Sequence, residues 1–346
     1  MKKKNAVPGG LAIDRARWKD VASILSGARK VVVATHIHPD GDAIGSQVGL
    51  MRLLRRRGIE AHAVLPDEVP YNFRFLDPQG EIRCSPDGRA AAAIRDADVV
   101  AVVDVSKSDR LGRLMDPLLG APARRVCIDH HAEGDFPAHA AIIDTAASST
   151  GELIYELARV LDGDQALTPD VALPLYVAVL TDTGGFRFSN TSPRTHMLAA
   201  ELLAAGVEPP QVQHEVYEKN KPEVLRLLGM ALSGLTVESG GRLAWMIITQ
   251  EHLRGSGARP EDVDGFVDLP RTLDGVEIVI MFMELASGRL KVSLRSRVGV
   301  DVRRLATQFG GGGHVHAAGI LMDGPWAGAR ESVLAAARTQ LRGTAA

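Results

Sequence analysis

The chain has 346 residues, 45% hydrophobic and 24% charged, a balance that excludes a disordered or fibrous protein and a length that suits two domains of ordinary size. A formal net charge of −2 excludes holding long duplex DNA through the field of the whole molecule, although a local basic groove still suits a short anion. Only Cys84 and Cys127 occur, which excludes a disulfide framework or a cysteine-rich zinc site and fits a reducing compartment. Lys2, Lys3 and Lys4 are followed by no apolar stretch over residues 5–10, so no secretory signal is expected. The later apolar runs 173–180 and 278–285 stop well short of the roughly 20 residues of a membrane span. The cytoplasm is the expected location.

From Lys30 onward, short β-rich apolar runs alternate with helical patterns, the signature of βαβ units on a parallel sheet. Residues 31–34, 99–103 and 125–128 are the clearest strands. Ile44, Val48, Met51 and Leu54 share one helical face, as do Leu153, Ile154, Leu157, Val160 and Leu161. A further apolar helix is expected over 171–180. Leu198, Leu202 and Leu203 mark another, which Pro209 and Pro210 are expected to interrupt. The expected division is a domain over 12–208, a linker over 209–222 and a smaller α+β domain over 223–343. The latter shows strand-like runs at 243–248, 276–282 and 290–294, a helix from Val302, a glycine run and an Ala-rich helix. The fold class is therefore α/β, a doubly wound and mainly parallel sheet with helices on both faces, joined to a second domain with a mixed sheet.

In open α/β sheets ligands bind beyond the carboxyl ends of the strands, and here each of the first three clear strands ends in acid or imidazole. The first runs into Thr35-His36-Ile37-His38-Pro39-Asp40-Gly41-Asp42, where Pro39 and Gly41 bend the backbone so that His36, Asp40 and Asp42 converge. The second ends at Asp104 and the third at Asp129-His130-His131. Taken singly, these are an ordinary turn, a capping acid and a polar strand end. Taken together at one edge they repel unless a cation neutralises them, and mixed carboxylate and imidazole donors suit Mn²⁺ better than an all-oxygen Ca²⁺ cage. Asp182, after the apolar helix, completes a set too large for one tetrahedral zinc, so two metals are the natural count. Two metals about 4 Å apart clamp a phosphoryl oxygen and hold a hydroxide for in-line attack. No P-loop GKS or GKT and no dinucleotide fingerprint occurs.

His36-x-x-Pro39-Asp40-Gly41-Asp42, Asp104, Asp129-His130-His131 and Asp182-Thr183-Gly184 resemble, in order, the four motifs of the DHH phosphoesterase superfamily. Gly310-Gly311-Gly312-Gly313-His314 with Ala317-Ala318-Gly319 resembles the signature of its DHH-associated C-terminal domain, so both halves are covered. Length and the run 186–191 are most similar to the bacterial nano-RNase and pAp phosphatase branch. The resemblance implies His36, Asp40 and Asp104 on one metal, and Asp42, Asp104, His130 and Asp182 on the other. It also implies that His131 acts on the scissile phosphate while Asp129 orients the imidazoles. Arg295 resembles the family's substrate-phosphate arginine. Gly311, Gly312 and Gly313 let backbone amides approach a phosphate, with His314 beside them; the bland alternative is a flexible linker. Arg187, near the last metal motif, is weighed equally as a substrate contact and as half of a salt bridge.

The resulting expectation is a hydrolase using two divalent cations, Mn²⁺ first, with Mg²⁺ or Co²⁺ as alternatives. Its active site is expected in the cleft between the domains. It would release 5′-mononucleotides from very short RNA and dephosphorylate pAp to AMP. The alternatives are a cyclic di-AMP or pApA phosphodiesterase and a non-catalytic nucleotide-binding regulator. Partners are then short RNA and small nucleotides, with no stable duplex DNA binding and no membrane; a homodimer is compatible with the sequence.

Overall fold

The computed structural model describes residues 15–85, 88–132, 134–263, 265–297 and 299–343. The stretch read above for a secretory signal, and the first residues of the expected catalytic domain, lie outside the described residues. The chain divides into two compact units, with the boundary between Lys219 and Asn220.

The first unit carries six strands: β1 (Lys30–Ala34), β2 (Glu60–Leu65), β3 (Arg83–Cys84), β4 (Val99–Val103), β5 (Arg124–Asp129) and β6 (Ala140–Ile143). Their order is β3-β2-β1-β4-β5-β6 and every neighbouring pair is parallel. Its helices are α1 (Arg15–Ser26), α2 (Gly41–Arg56), α3 (Arg89–Arg95), α4 (Met115–Gly120), α5 (Thr150–Asp162), α6 (Pro169–Asp182), α7 (Pro193–Ala204) and α8 (Pro209–Tyr217). Val31 and Val33 face the layer holding α1, α2, α5 and α6, whereas Val32 and Ala34 face α3 and α4. Burial on both faces is why these strands read as continuous apolar runs with no alternation. The chain leaves β1 to one side for β2 and returns on the other side as β4. That reversal is the topological switch point, where such sheets open a crevice at the carboxyl ends of their strands.

Within the helical layer, α2 is buried from Gly41 through Met51. Gly41, Gly45 and Gly49 form its contact stripe: a Cβ on them would lie 2.4 Å from Thr181 Oγ1, 2.3 Å from the Pro174 carbonyl and 2.6 Å from Leu175 Cδ2. Gly41 at the start of α2 meets Thr181 near the end of α6, whereas Gly45 and Gly49 further along meet Pro174 and Leu175 nearer its start, so the two helices are antiparallel and nearly in backbone contact. The start of α2, with Asp40 and Asp42, is thereby fixed beside the end of α6, with Asp182.

The second unit carries β7 (Thr236–Glu238), β8 (Leu243–Ile248), β9 (Ile278–Glu284), β10 (Leu290–Ser296), β11 (Gly312–His314) and β12 (Ala317–Met322), in the order β11-β12-β10-β9-β8-β7. Only the β8–β9 pair is parallel, so the sheet is mixed. Packed on one face are α11 (Val302–Thr307) and α12 (Trp326–Gly343), and on the other α9 (Pro222–Ser233) and α10 (Gln250–Ser256).

Two sequence expectations need correction. Residues 209–222 are not simply a linker: Pro209 and Pro210 open α8, and its Val212 and Val216 are buried in the first unit's core. Proline fits the first turn of a helix, where its missing N–H has no partner to lose. Val160, placed on the buried face of α5, is 47% exposed, and Leu203 on α7 is 39% exposed; both stand near helix ends, where the covered stripe gives out. Among the described residues no helix is long and apolar enough to cross a membrane.

Candidate metal centre

Each side chain here is delivered by a strand end or a helix end. His36 follows β1 and is buried, with Nε2 3.3 Å from Asp104 Oδ2. Asp40 caps α2, accepting from the Ala43 N–H at 3.0 Å. Asp42 lies in the first turn of α2, and its carboxylate accepts from the N–H groups of Thr150 (2.7 Å) and Gly151 (2.9 Å) and from the Ser46 hydroxyl (2.9 Å). The N-terminus of α5 thus points its exposed amides at a carboxylate. Asp104 follows β4 in a left-handed conformation, φ +58°. The Thr150 hydroxyl donates to its Oδ1 at 3.0 Å. His38 is exposed, with φ +52°.

His130 Nε2 lies 3.7 Å from Asp42 Oδ2, 3.6 Å from Asp104 Oδ1 and 3.7 Å from Asp182 Oδ2. Asp129 is fully buried and accepts from His131 Nδ1 at 2.7 Å and from the His131 N–H at 3.2 Å. The ligand atoms of His36, Asp40 and Asp104 lie within 4.8 Å of one another, as do those of Asp42, His130 and Asp182. Asp104 joins the two groups, Oδ2 toward His36 and Oδ1 toward His130.

The electrostatics follow from five carboxylates crowded at one edge. Burial, then the charges of Asp42, Asp40, Asp129 and Asp182, push the Asp104 carboxyl well above the usual range. Asp182 is pushed up to about 7 by burial and by Asp42 and Asp40, against the pull of His130. Asp42 is raised by burial and Asp40 despite His130 and the two α5 amides. Burial opposes a charge on His130, but Asp182, Asp42 and Asp129 prevail and raise it. His36 is lowered, by burial and by the Arg110 guanidinium. For Asp129, burial is outweighed by the hydrogen bond and charge of His131, and its carboxyl is held low. Carboxyls raised by burial and by one another's charge, arranged with imidazoles in two groups sharing one carboxylate, are a donor set suited to two borderline divalent cations.

The other residues singled out in the sequence are Arg187, Arg295 and the glycine run with His314. Arg187 is exposed and donates to the Gly184 carbonyl at 2.6 Å, with no carboxylate partner among the described residues. Arg295 is on β10, with Nε 3.4 Å from Asp268 Oδ1. Gly312, Gly313 and His314 form β11, exposed along the sheet edge. A Cβ at Gly311 would lie 2.2 Å from the Gly319 carbonyl, and one at Gly313 2.5 Å from the Ala317 carbonyl. Gly311 and Gly313 are therefore required by the close approach of β12, and the run is part of a hairpin and no linker.

Sequence reasoning missed Thr150, Gly151, Ser46 and Asn190. Asn190 Nδ2 donates to the Ser148 carbonyl (2.8 Å) and to Asp182 Oδ2 (3.2 Å), tying the α5 entry to the α6 exit. One signal was present: Ser149-Thr150-Gly151-Glu152 has the pattern of a helix start. Ser149 does cap α5 through the Glu152 N–H.

Residues 30–179 match the model of the DHH family, N-terminal domain, and residues 243–343 that of the DHHA1 domain. A Thermus thermophilus protein named bifunctional oligoribonuclease and PAP phosphatase NrnA is 34% identical over 93% of this chain and 93% of its own. A Bacillus subtilis protein of the same name is 28% identical over 84% of this chain and 88% of its own. The crystal structure of an exopolyphosphatase-related protein from Bacteroides fragilis matches with a TM-score of 0.88 at 27% identity, covering 96% of this chain and 97% of that one. The chain belongs to the DHH phosphoesterase family, with a DHHA1 domain as its second part, and is a hydrolase acting on phosphate esters.

Proposed function

We propose that the chain is a manganese-dependent phosphoesterase that degrades very short oligoribonucleotides to 5′-mononucleotides and converts pAp to AMP. The observation that carries this reading is Asp104, whose two oxygens address His36 on one side and His130 on the other. His36, Asp40 and Asp104 would hold one cation, and Asp42, Asp104, His130 and Asp182 the other. When bound, the pair supplies Lewis-acid charge to the phosphoryl oxygens and makes water acidic enough to act at neutral pH. The choice of short RNA and pAp as substrates, and so of partners, follows the names of the Thermus and Bacillus relatives.

The chain's own side chains do the rest. Asp129 fixes the tautomer of His131 by accepting a hydrogen bond from its Nδ1–H, which leaves Nε2 as the position that delivers or receives a proton at the leaving oxygen. The α5 amides and the Thr150 hydroxyl hold Asp42 and Asp104 in ligating orientations, the supporting contacts such centres need. Arg295, the backbone of Gly311, Gly312 and Gly313, and His314 would bind the substrate's nucleotide part, with Arg187 a further candidate. Arg295 would exchange its Asp268 contact for a phosphate. Cys84 and Cys127 are thiols and form no disulfide, which suits the cytoplasm as the place of this activity.

Purified protein with Mn²⁺, given di- to pentaribonucleotides, pAp, cyclic di-AMP and pyrophosphate in parallel, tests the proposal. The expected ranking places the short ribonucleotides and pAp first. Fastest turnover of cyclic di-AMP or of pyrophosphate would replace this reading.

A further inference from the structure

We propose that Arg110 is a substrate-binding residue, donating charge-assisted hydrogen bonds to a non-bridging oxygen of the phosphate that is cleaved at this centre. The inference rests on the reading of the metal centre just given.

Arg110 lies six positions beyond Asp104, inside the 3-10 segment Ser108–Leu114. Its backbone is locked to the loop that holds His36: the Ile37 N–H donates to the Arg110 carbonyl at 2.8 Å. Two residues on, Gly112 has φ +54°, and a Cβ there would lie 2.5 Å from Ile37 Cγ2. The guanidinium is thus placed at the cluster by backbone contacts and needs no ion pair to hold it.

Its own hydrogen bonding does not close. Arg110 Nη2 lies 3.0 Å from His36 Nδ1, and the same Nδ1 lies 2.8 Å from the Ile37 carbonyl. One ring nitrogen cannot serve both. If Nδ1 carries the proton it donates to Ile37 and repels the guanidinium; if it is bare it accepts from Arg110 and faces a carbonyl lone pair. The other nitrogen decides. Nε2 is the one turned toward Asp104, within the group with Asp40 that can ligate a cation. Ligation through Nε2 requires its lone pair, leaves the proton on Nδ1 and assigns that proton to the Ile37 carbonyl, as ligating histidines usually do.

In that state Arg110 loses its only side-chain hydrogen bond among the described residues, and it has no ion pair there. Other arginines of the unit are committed. Arg52 bonds the Asp170 and Leu76 carbonyls, Arg55 bonds Glu81, and Arg56 bonds Thr168. A half-buried guanidinium beside a cation site, with its donors unused, is complementary to an anion carrying several oxygens. A phosphate held at the centre meets that requirement. Because an arginine keeps its charge at any working pH, the role is to hold and stabilise the phosphoryl group, not to move a proton.

Arg110→Gln and Arg110→Lys, compared with the parent, provide the test. Three quantities are read: Mn²⁺ bound per chain, the Kd for inorganic phosphate on the Mn²⁺-loaded protein by calorimetry, and kcat/KM on pAp. We expect unchanged Mn²⁺ stoichiometry in Arg110→Gln, phosphate binding weakened about tenfold or more and kcat/KM lowered on the order of 100-fold, with Arg110→Lys intermediate. Unchanged phosphate affinity in Arg110→Gln overturns the inference. So does loss of bound Mn²⁺ in both variants, which would make Arg110 a support for His36. If the parent does not cleave pAp yet binds phosphate in an Arg110-dependent way, the proposed substrate fails and the inference stands. A parent that binds no phosphate overturns the inference itself.

Discussion

Asp104 stands in a backbone region that few residues other than glycine occupy, and the cost of that conformation, of order 1–3 kcal/mol, is met only where surroundings over-determine it. Asp104 is so determined: its N–H bonds the Ile128 carbonyl at 3.0 Å and Thr150 holds its carboxylate. Stability is given up at this cluster for charge placement. Asp182 makes the exchange measurable. Without a cation its carboxyl rises from 3.8 to about 7. A carboxyl with a raised folded-state pKa binds its proton more tightly in the folded chain. Its contribution is therefore complete below 3.8 and is lost as pH rises to about 7. Asp182→Asn removes that dependence. In chelator-treated protein, thermal melts across this range should show the variant gaining on the parent as pH rises. A difference between the two that stays constant with pH, or that shifts in the parent's favour as pH rises, would contradict the assignment. Saturating divalent cation should reverse the order, since the parent then gains a ligand that the variant lacks.

At the scale of elements, the α2–α6 contact sets the distance between Asp42 and Asp182. Gly45→Ala would force a Cβ to within 2.3 Å of the Pro174 carbonyl, and backbone cannot move aside as a flexible side chain does. Overpacking of this kind costs about 1–3 kcal/mol. Chemical denaturation of Gly45→Ala should show that loss together with weakened cation binding; full stability with intact binding would mean that the stripe does not set the centre. The spacing of Gly41, Gly45 and Gly49 was visible in the chain, but its partner on α6 was not, because periodicity reports a face and not what covers it. The strands were legible for a simple reason: runs such as 99–103 are apolar on both faces and stop at acids. The start of α5 was legible through Ser149 and Glu152. Its purpose was not, since Thr150 and Gly151 lie 108 and 109 residues from the carboxylate they hold. Pro209 and Pro210 misled because proline breaks a helix interior and opens a helix start with the same letters.

For the whole molecule, the parallel sheet of the first unit collects every proposed metal ligand, and the mixed sheet of the second carries Arg295 and the glycine-rich edge. The DHH and DHHA1 matches fall on these two units in turn. If the centre holds cations only when the chain is folded, binding stabilises the first unit, by about 2.7 kcal/mol for each site when free metal is 100 times its Kd. The most direct measurement is a crystal structure of the Mn²⁺-loaded protein with anomalous scattering data. The account predicts two Mn²⁺ peaks bridged by Asp104, one beside His36 and Asp40, the other beside Asp42, His130 and Asp182. A single peak, or peaks away from Asp104, would contradict it.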